Sequence, residues 1–233
     1  MDKPSLPSVP HALFFNPPIF SNYIGHIMAE IYKDKVYAPF VEGKSGLTIV
    51  DIGANVGLTA YYFSHFGKVF AVEPAAEHFA ILETMIKFNR LDDKIIPVQK
   101  AIYIREGEFG FYHNQNKTMF SLHGAVADQS LPIEKVQAIP LDKLFEENEI
   151  EHCDLMKLDV EGSEVEILAS EGFGKVAPKI DTILVEVHAW NGRHPNQIKD
   201  ALENNGFDIK PVPNDATLLV GTKTIKAIEA VKK

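Results

Sequence analysis

Apolar runs alternate with amphipathic stretches along the chain from Leu47 onward. The runs at 47–52 and 68–72 have the length of buried strands, and the segment between them has the pattern of a helix. Over 76–91 the apolar residues recur at spacings of three and four, which predicts a second helix. The regular part of the chain therefore begins as strand, helix, strand, helix.

The same two patterns recur towards the end of the chain. They predict strands over 95–104, 107–113, 136–139, 154–160, 182–187, 207–212 and 217–222, and helices over 141–148, 163–171 and 195–205. Residues 114–132 show no strong period, and we interpret them as part of an insertion. The turn formers Pro213, Asn214 and Asp215 separate the last two strands, so we expect that pair to be antiparallel.

Repeated alternation of strands and helices requires right-handed crossovers and produces a mostly parallel sheet covered on both faces. We therefore predict an open α/β fold that closes with an antiparallel hairpin. Residues 47–233 are predicted to form one domain, and residues 1–46, with a helical stretch over 21–32, form an N-terminal cap segment. Within that segment, the aromatic-rich residues 11–40 are expected to close over the site or to pack on the sheet or a partner subunit of a homodimer.

Composition and charge narrow the choice of partners and compartment. The chain has 233 residues, of which 45% are hydrophobic, and 23 basic against 32 acidic residues leave a net charge of −9. This acidic balance disfavours a nucleic-acid partner. The single cysteine, Cys153, cannot close an intrachain disulfide, and no apolar run is long enough to span a membrane. With no segment that fits a secretory signal, we expect a soluble cytoplasmic protein.

The turn after the first strand has the glycine pattern of a nucleotide-cofactor site. Gly53 permits a tight turn, Asn55 tolerates left-handed geometry, and Gly57 lets the following helix pack closely. A dinucleotide fingerprint would place glycines at 55 and 58, where this chain has Asn55 and Leu58. This difference weakens the alternative of an NAD-dependent oxidoreductase.

Two acidic residues stand at the ends of the first two strands. Asp51 suits a ligand with a positive or hydrogen-bond-donating group, and Glu73 can accept both hydroxyls of an adenosine ribose. S-adenosylmethionine carries both features. We therefore predict that it is the cofactor.

Three stretches of the sequence carry a family resemblance. They are Thr48-Ile49-Val50-Asp51-Ile52-Gly53-Ala54-Asn55-Val56-Gly57, Val72-Glu73-Pro74 and Met156-Lys157-Leu158-Asp159-Val160-Glu161-Gly162-Ser163-Glu164. Together they resemble the FkbM family of S-adenosylmethionine-dependent methyltransferases, over about residues 37–212. The resemblance implies a class I methyltransferase (Rossmann-like) fold and, usually, O-methylation of hydroxyls on sugars or secondary metabolites. The cofactor-binding residues it indicates are Asp51, Gly53, Ala54, Asn55, Gly57, Glu73 and Pro74.

A second group of candidates lies at the ends of two later strands. Asp159 and Glu161 follow one strand, and Glu186 and His188 lie on the same face of the next. We predict that these four residues are catalytic. Ser163 and Glu166, by contrast, have the spacing of a capping box, so Glu164 and Glu166 are interpreted as structural.

Two routes to deprotonating an acceptor hydroxyl stay open. In the first, His188 is the general base, oriented by a carboxylate. In the second, Asp159 and Glu186 hold a divalent cation such as Mg²⁺. We favour the metal-free route and assign no metal site. The predicted function is methyl transfer to a hydroxyl of a small molecule or glycan; the alternatives are an NAD-dependent oxidoreductase and a non-catalytic nucleotide-cofactor-binding protein.

Overall fold

The computed structural model describes residues 21–113, 120–122, 133–188, 195–211, 218–220 and 223–232. The helices are α1 (Ser21–Met28), α2 (Ala38–Val41), α3 (Leu58–Phe63), α4 (Ala76–Asn89), α5 (Leu141–Glu147), α6 (Glu164–Leu168), α7 (Glu171–Val176) and α8 (Pro195–Asn204). The strands are β1 (Leu47–Ile52), β2 (Gly67–Val72), β3 (Ile95–Val98), β4 (Ala101–Ile102), β5 (Gly107–His113), β6 (Phe120–Ser121), β7 (Glu134–Ile139), β8 (Cys153–Leu158), β9 (Ile180–Val187), β10 (Phe207–Pro211), β11 (Leu218–Val220) and β12 (Lys223–Lys232).

The main sheet has the strand order β10-β12-β9-β8-β1-β2-β3. The strands from β9 to β3 are parallel, which confirms the predicted α/β fold. From β1 the chain proceeds outwards to β2 and β3, and it later returns to place β8 on the other side of β1. Ligands of open α/β sheets bind beyond the carboxyl ends of the strands at such a switch point. The fold therefore locates the site above β1 and β8.

The two faces of the main sheet are buried by different elements. One face packs against α5, α6, α7 and α8 around a core that includes Met156 and Phe173. The other face packs against α3, α4 and the N-terminal helices, around Ile49, Val69 and Leu155. Side chains alternate along a strand, so every second residue after Ile49, Val69 and Leu155 lies on this same face up to the end of the strand.

The sheet ends in antiparallel strands as predicted, but the pairing differs from our expectation. Strand β10 pairs with β12, a strand that the sequence analysis did not identify, and β12 also pairs with β9. Strand β11 forms a short antiparallel pair with the beginning of β12. The last strand is thus inserted between β9 and β10, and its ten residues are long enough to pair with β11 as well.

A second, smaller sheet with the order β4-β7-β5-β6 forms beside the main one. The predicted strand 95–104 is therefore divided, with β3 in the main sheet and β4 in the small sheet. The Glu134 side chain joins the small sheet to α4 by accepting the backbone N–H of Ala76 at 2.9 Å. Part of the insertion, 114–119 and 123–132, lies outside the described residues.

Two predicted helices are also interrupted. The predicted helix over 163–171 is two helices, α6 and α7, and the helical stretch over 21–32 is α1 followed by a π-helical turn at Ala29–Lys33. Ile31 of that turn is buried against the core formed with α3 and α4. The division into a cap segment and a domain stays a prediction, since residues 1–20 lie outside the described ranges.

Within the ranges that the structure describes, every helix is too short or too polar to span a bilayer.

Candidate active site

On four neighbouring strands, polar side chains lie at the carboxyl end of the sheet face that packs around Ile49, Val69 and Leu155. They are Asp51 of β1, Glu73 after β2, Lys157 of β8 with Asp159 after it, and Glu186 of β9 with His188 after it. Asp51 and Lys157 are direct partners in the register of β1 and β8. The structure therefore brings the predicted site residues of four strands to one edge of the sheet, on either side of the switch point.

The turn after β1 adopts the backbone that its sequence predicts. Gly53 has φ +81°, and a Cβ atom there would lie 1.8 Å from the carbonyl oxygen of Asp159. Gly57 has φ +91°, and a Cβ atom there would lie 2.6 Å from the side chains of Leu82 and Met85. Asn55 is left-handed with φ 51°. The turn thus approaches β8 and α4 more closely than residues with side chains would permit.

The backbone amides of this turn all have partners within the protein. Gly53 and Ala54 donate to the carbonyl oxygen of Val72, each at 3.0 Å, and Gly57 donates to that of Ala54 at 2.9 Å. The Asn55 N–H donates to Glu73, and Asn55 Oδ1 accepts the N–H of Val56. A pyrophosphate binds to unpaired amides of such a turn. The hydrogen bonds therefore disfavour a dinucleotide ligand independently of the glycine spacing.

Glu73 and Pro74 form the second half of the predicted cofactor site. Glu73 Oε1 accepts the N–H of Ala75 at 2.8 Å, and Oε2 accepts that of Asn55 at 2.9 Å. Burial raises the pKa of Glu73 to about 7, although these two hydrogen bonds act in the opposite direction. Each oxygen retains a lone pair, so the carboxylate can accept two further hydrogen bonds from a ligand.

Lys157 is a buried cation that the sequence analysis did not assign to the site. Its Nζ lies 2.9 Å from Asp159 Oδ2, 3.8 Å from Asp51 Oδ1 and 3.4 Å from the carbonyl oxygen of Gly53. Burial opposes its charge, but Asp159 and Asp51 raise the pKa of Lys157 well above its usual value. Asp51 also accepts the hydroxyl of Thr59 at 2.5 Å. One ammonium therefore stabilises two carboxylates from adjacent strands.

His188 lies between several carboxyl groups. Its Nδ1 is 2.7 Å from Glu164 Oε1, and its Nε2 is 3.1 Å from Glu161 Oε2 and 4.0 Å from Asp159 Oδ1. Burial would lower the pKa of His188, but Glu161 and Glu164 raise it well above the usual value. These carboxyl groups therefore favour the protonated imidazole, whose Nδ1 donates to Glu164 while Nε2 lies within ion-pair distance of Glu161.

The carboxyl groups around His188 have different charges. Burial and the nearby Asp159 raise the pKa of Glu161 to about 8 and that of Glu186 well above its usual value. Burial would also raise the pKa of Asp159, but Lys157, His188 and a hydrogen bond from Glu186 together lower it. These shifts favour the ionised form of Asp159 and the protonated form of Glu186, and they bring the pKa of Glu161 close to neutral pH.

The backbone at Glu161 is strained. Glu161 has φ 55°, a conformation that costs free energy for a residue with a side chain, and Gly162 follows with φ 111°. Such strain persists only when surrounding contacts fix it. Here it directs the Glu161 carboxyl group towards His188 Nε2.

The environment of Glu164 differs from the one that the sequence pattern predicts. Ser163 makes no side-chain capping hydrogen bond, so the predicted capping box does not form. Glu164 is instead buried, accepting the backbone N–H of Gly162 at 3.1 Å as well as bonding to His188. The spacing of Ser163 and Glu166 predicted a cap, whereas the contact of Glu164 with His188, 24 residues away in the chain, is formed only in the fold.

Residues of the N-terminal segment interact with the same site. Burial raises the pKa of Glu30 to about 7, with Asp159 raising it further and Lys157 lowering it. Burial also raises the pKa of the Tyr37 hydroxyl, which interacts with Lys157 and Glu186. No local pattern marks Glu30, and the sequence analysis missed it. Of the aromatic residues within 11–40 that are expected to cover the site, Phe14, Phe15, Phe20 and the side chain of Tyr23 lie outside the described residues.

Asp159, Glu161 and His188 also have the geometry of potential metal ligands. One atom from each lies within 4.8 Å of the others. Lys157, however, places its ammonium 2.9 Å from Asp159, and a divalent cation at the same carboxylate would be repelled by it. This arrangement favours proton chemistry over metal binding.

The chain matches a protein family over most of the described core. Residues 51–209 match the family described as "Methyltransferase FkbM domain". Among curated proteins, the hexuronic acid methyltransferase AglP of Haloferax volcanii is 25% identical over 175 residues, which cover 74% of this chain and 69% of that protein. The AMB antimetabolite synthetase AmbE of Pseudomonas aeruginosa is 24% identical, with 86% of this chain matching 11% of that protein.

Solved structures share the fold at low sequence identity. A methyltransferase FkbM from Methylobacillus flagellatus has a TM-score of 0.55 at 14% identity, covering 91% of this chain and 52% of that one. The magnesium protoporphyrin IX methyltransferase ChlM of Synechocystis PCC 6803, solved with bound SAM, has a TM-score of 0.52 at 13% identity, covering 97% and 86%. These likenesses show a class I methyltransferase fold.

Proposed function

This chain belongs to the FkbM family of methyltransferases, and on that premise we propose that it methylates a hydroxyl oxygen of a glycan or another small molecule. Its methyl donor is S-adenosylmethionine. The observation that carries the proposal is the contact between Glu161 and His188 beside Asp159, at the strand ends next to the donor site. A hydroxyl needs a proton acceptor in order to attack a methyl group, and this group of side chains supplies one. The relative from Haloferax volcanii, named for a hexuronic acid, supports a sugar as the acceptor.

The residues at the ends of β1 and β2 fit S-adenosylmethionine. Glu73 has lone pairs free for two ribose hydroxyls. Asp51 Oδ1 is buried and accepts no hydrogen bond from the described residues, so it can receive a donating or positively charged group of the ligand. When bound, the donor supplies an electrophilic methyl group on a positively charged sulfur. Protein residues hold the reactants in line and take the proton.

We assign proton removal to Glu161 and His188 acting as one coupled pair. His188 alone is a poor base here, since it is already protonated. Glu161, with a pKa of about 8, is close to the value at which a base is effective near neutral pH. Glu164 positions the imidazole through Nδ1, and the imidazolium in turn stabilises the Glu161 carboxylate. Asp159 is held ionised by Lys157 and is the weaker base.

Turnover is expected to continue in excess chelator, because the Lys157 ammonium already pairs with Asp159, the carboxylate that a divalent cation would need as a ligand. The measurement is the initial rate with and without EDTA, using protein dialysed against EDTA beforehand. Activity that disappears in chelator and returns with Mg²⁺ would instead support a cation at Asp159 and its neighbours, the second of the two routes.

Glu73→Ala should weaken binding of S-adenosylmethionine by about 2 to 4 kcal/mol, because two hydrogen bonds to a charged group are lost. Isothermal titration calorimetry measures this directly. Glu77→Ala, on the exposed part of α4, is the matched control and should bind as the wild type does. Equal affinity in the Glu73 variant would argue against its place at the ribose.

The reaction itself is tested with donor carrying a ¹³C-labelled methyl group and pools of glycosides, polyketides and phenols. We expect the label in a methyl ether, which is stable to mild base and identifiable by its carbon shift. Label on nitrogen or carbon, or in a base-labile ester, would contradict transfer to a hydroxyl. Donor binding without turnover of any pool would favour a non-catalytic cofactor-binding protein.

A further inference from the structure

Glu30 is an acidic residue of the N-terminal segment that lies beside the catalytic cluster. It belongs to the π-helical turn Ala29–Lys33, and π-helical turns are frequent at functional sites. The adjacent Ile31 is buried on the sheet face that carries the site, which fixes the turn there. Glu30 Oε1 is buried and accepts no hydrogen bond from any residue that the structure describes.

The charges that act most strongly on Glu30 belong to residues at the end of β8. Beyond the effect of burial, its pKa is affected most by Asp159 and Lys157, at the end of β8. Tyr37, from the same segment, interacts with Glu30 and with Glu186 of β9. Glu30 of the N-terminal segment therefore lies close to the strand ends, on the sheet face where the adjacent Ile31 is buried.

Among the residues that the structure describes, carboxyl groups outnumber cations in the crevice. The acidic side chains are Glu30, Asp51, Glu73, Asp159, Glu161, Glu164 and Glu186, and the cations among the described residues are Lys157 and His188. Lys157 already lies within ion-pair distance of two carboxyl groups, and His188 within that distance of three. An additional negative charge would therefore enter a site in which several acids are already driven towards protonation by burial and by one another.

We propose that Glu30 accepts a hydrogen bond from the methyl acceptor, and that the site selects a sugar uncharged near the reacting hydroxyl over the corresponding uronate. This inference rests on the proposed function. Sugar hydroxyls donate hydrogen bonds and match a carboxyl-lined wall, whereas a uronate carboxylate is repelled by it. The acceptor of this chain thus differs in charge from the hexuronic acid named for the Haloferax volcanii relative.

The experiment uses matched pairs of methyl glycosides and methyl glycosiduronates of glucose, galactose and mannose, which differ only at C6. Affinity is measured by calorimetry on the full chain saturated with S-adenosylhomocysteine, and turnover is measured with S-adenosylmethionine. We expect the neutral member of at least one pair to bind roughly 10- to 100-fold more tightly. Glu30→Gln should reduce this preference about tenfold and leave donor affinity unchanged.

Two further variants complete the test. Glu42→Gln removes the same charge from an exposed position of the same segment and should keep the wild-type preference. Glu30→Lys reverses the charge and should shift the preference towards the uronate, and its donor affinity reports whether it is folded.

The possible outcomes separate the inference from the proposed function. Methylation of both members with equal efficiency, or a preference unchanged in the Glu30 variants, would overturn the inference while the O-methyltransferase assignment stands. Failure of every glycoside and uronate to bind would overturn both this inference and the proposal that the acceptor is a sugar. A preference of the wild type for the uronate would overturn the inferred selection of neutral sugars and leave the proposed methyl transfer to a sugar standing.

Discussion

Replacing Glu161 by glutamine is expected to lower kcat by a factor of about 10² to 10⁴, the usual contribution of a general base. The side chain keeps its size and its contact with His188 Nε2 but loses the ability to accept a proton. In the wild type the rate should rise as the pH increases through about 8, because Glu161 accepts a proton only when ionised. His188, Asp159, Glu164 and Lys157 face this carboxyl group, so the rise belongs to the cluster as a whole.

The control for this prediction is Glu171→Gln, which removes a carboxylate from an exposed position of α7. It should leave kcat and its pH dependence unchanged. Donor affinity and circular dichroism establish that the Glu161 variant is folded. Wild-type kcat with an unchanged pH profile in that variant would exclude Glu161 as the base, and the same result in His188→Ala would exclude the imidazole.

Lys157→Met is expected to reduce the free energy of unfolding by about 3 to 5 kcal/mol, the cost of breaking a buried ion pair from one side. The variant leaves Asp51 and Asp159 without their shared cation, and Asp51 is 0% exposed. Urea-induced unfolding monitored by circular dichroism measures the loss. The loss should shrink at acid pH, because the unpaired carboxyl groups have raised pKa values in the folded variant and become neutral as the pH falls.

Lys175→Met is the matched control, because this lysine forms ion pairs with Asp142 and Glu171 at the surface. Exposed pairs contribute about 0 to 1 kcal/mol. The double variant Lys157→Met/Asp51→Asn should recover part of the lost stability, since it removes one of the stranded charges. If Lys157→Met lowered the free energy of unfolding no more than Lys175→Met does, the Lys157 ammonium would not be the cation that stabilises the carboxylates of Asp51 and Asp159.

The donor half of the site was predictable because its determinants are local in the chain. Gly53 and Gly57 are needed for a turn that joins one strand to the next helix, and Glu73 follows directly from the next strand. Parallel strands align their carboxyl ends, so the order of elements was sufficient to place Asp51, Glu73, Asp159 and Glu186 at one edge. Alternation along β9 likewise placed His188 on the face of Glu186.

The charges and contacts of the proposed catalytic half were decided by the tertiary structure. Lys157 is a single charge within an apolar run, and only the pairing of β1 with β8 shows that it lies between two carboxylates. Glu164 has a local pattern that predicts a cap, yet its contact with His188 depends on how α6 packs beside β9. Glu30 lies far from Asp159 in the sequence, and only the fold brings the two residues close together.

The sequence by itself thus determined the α/β alternation, the family and the glycine turn that we propose binds the donor, because these follow from short-range periodicity and backbone geometry. The tertiary structure decided where β12 inserts, which acids share a proton or a cation, and that the N-terminal segment reaches the site. These properties depend on burial and on distances between residues far apart in the chain, since desolvation and neighbouring charges set the pKa of each group.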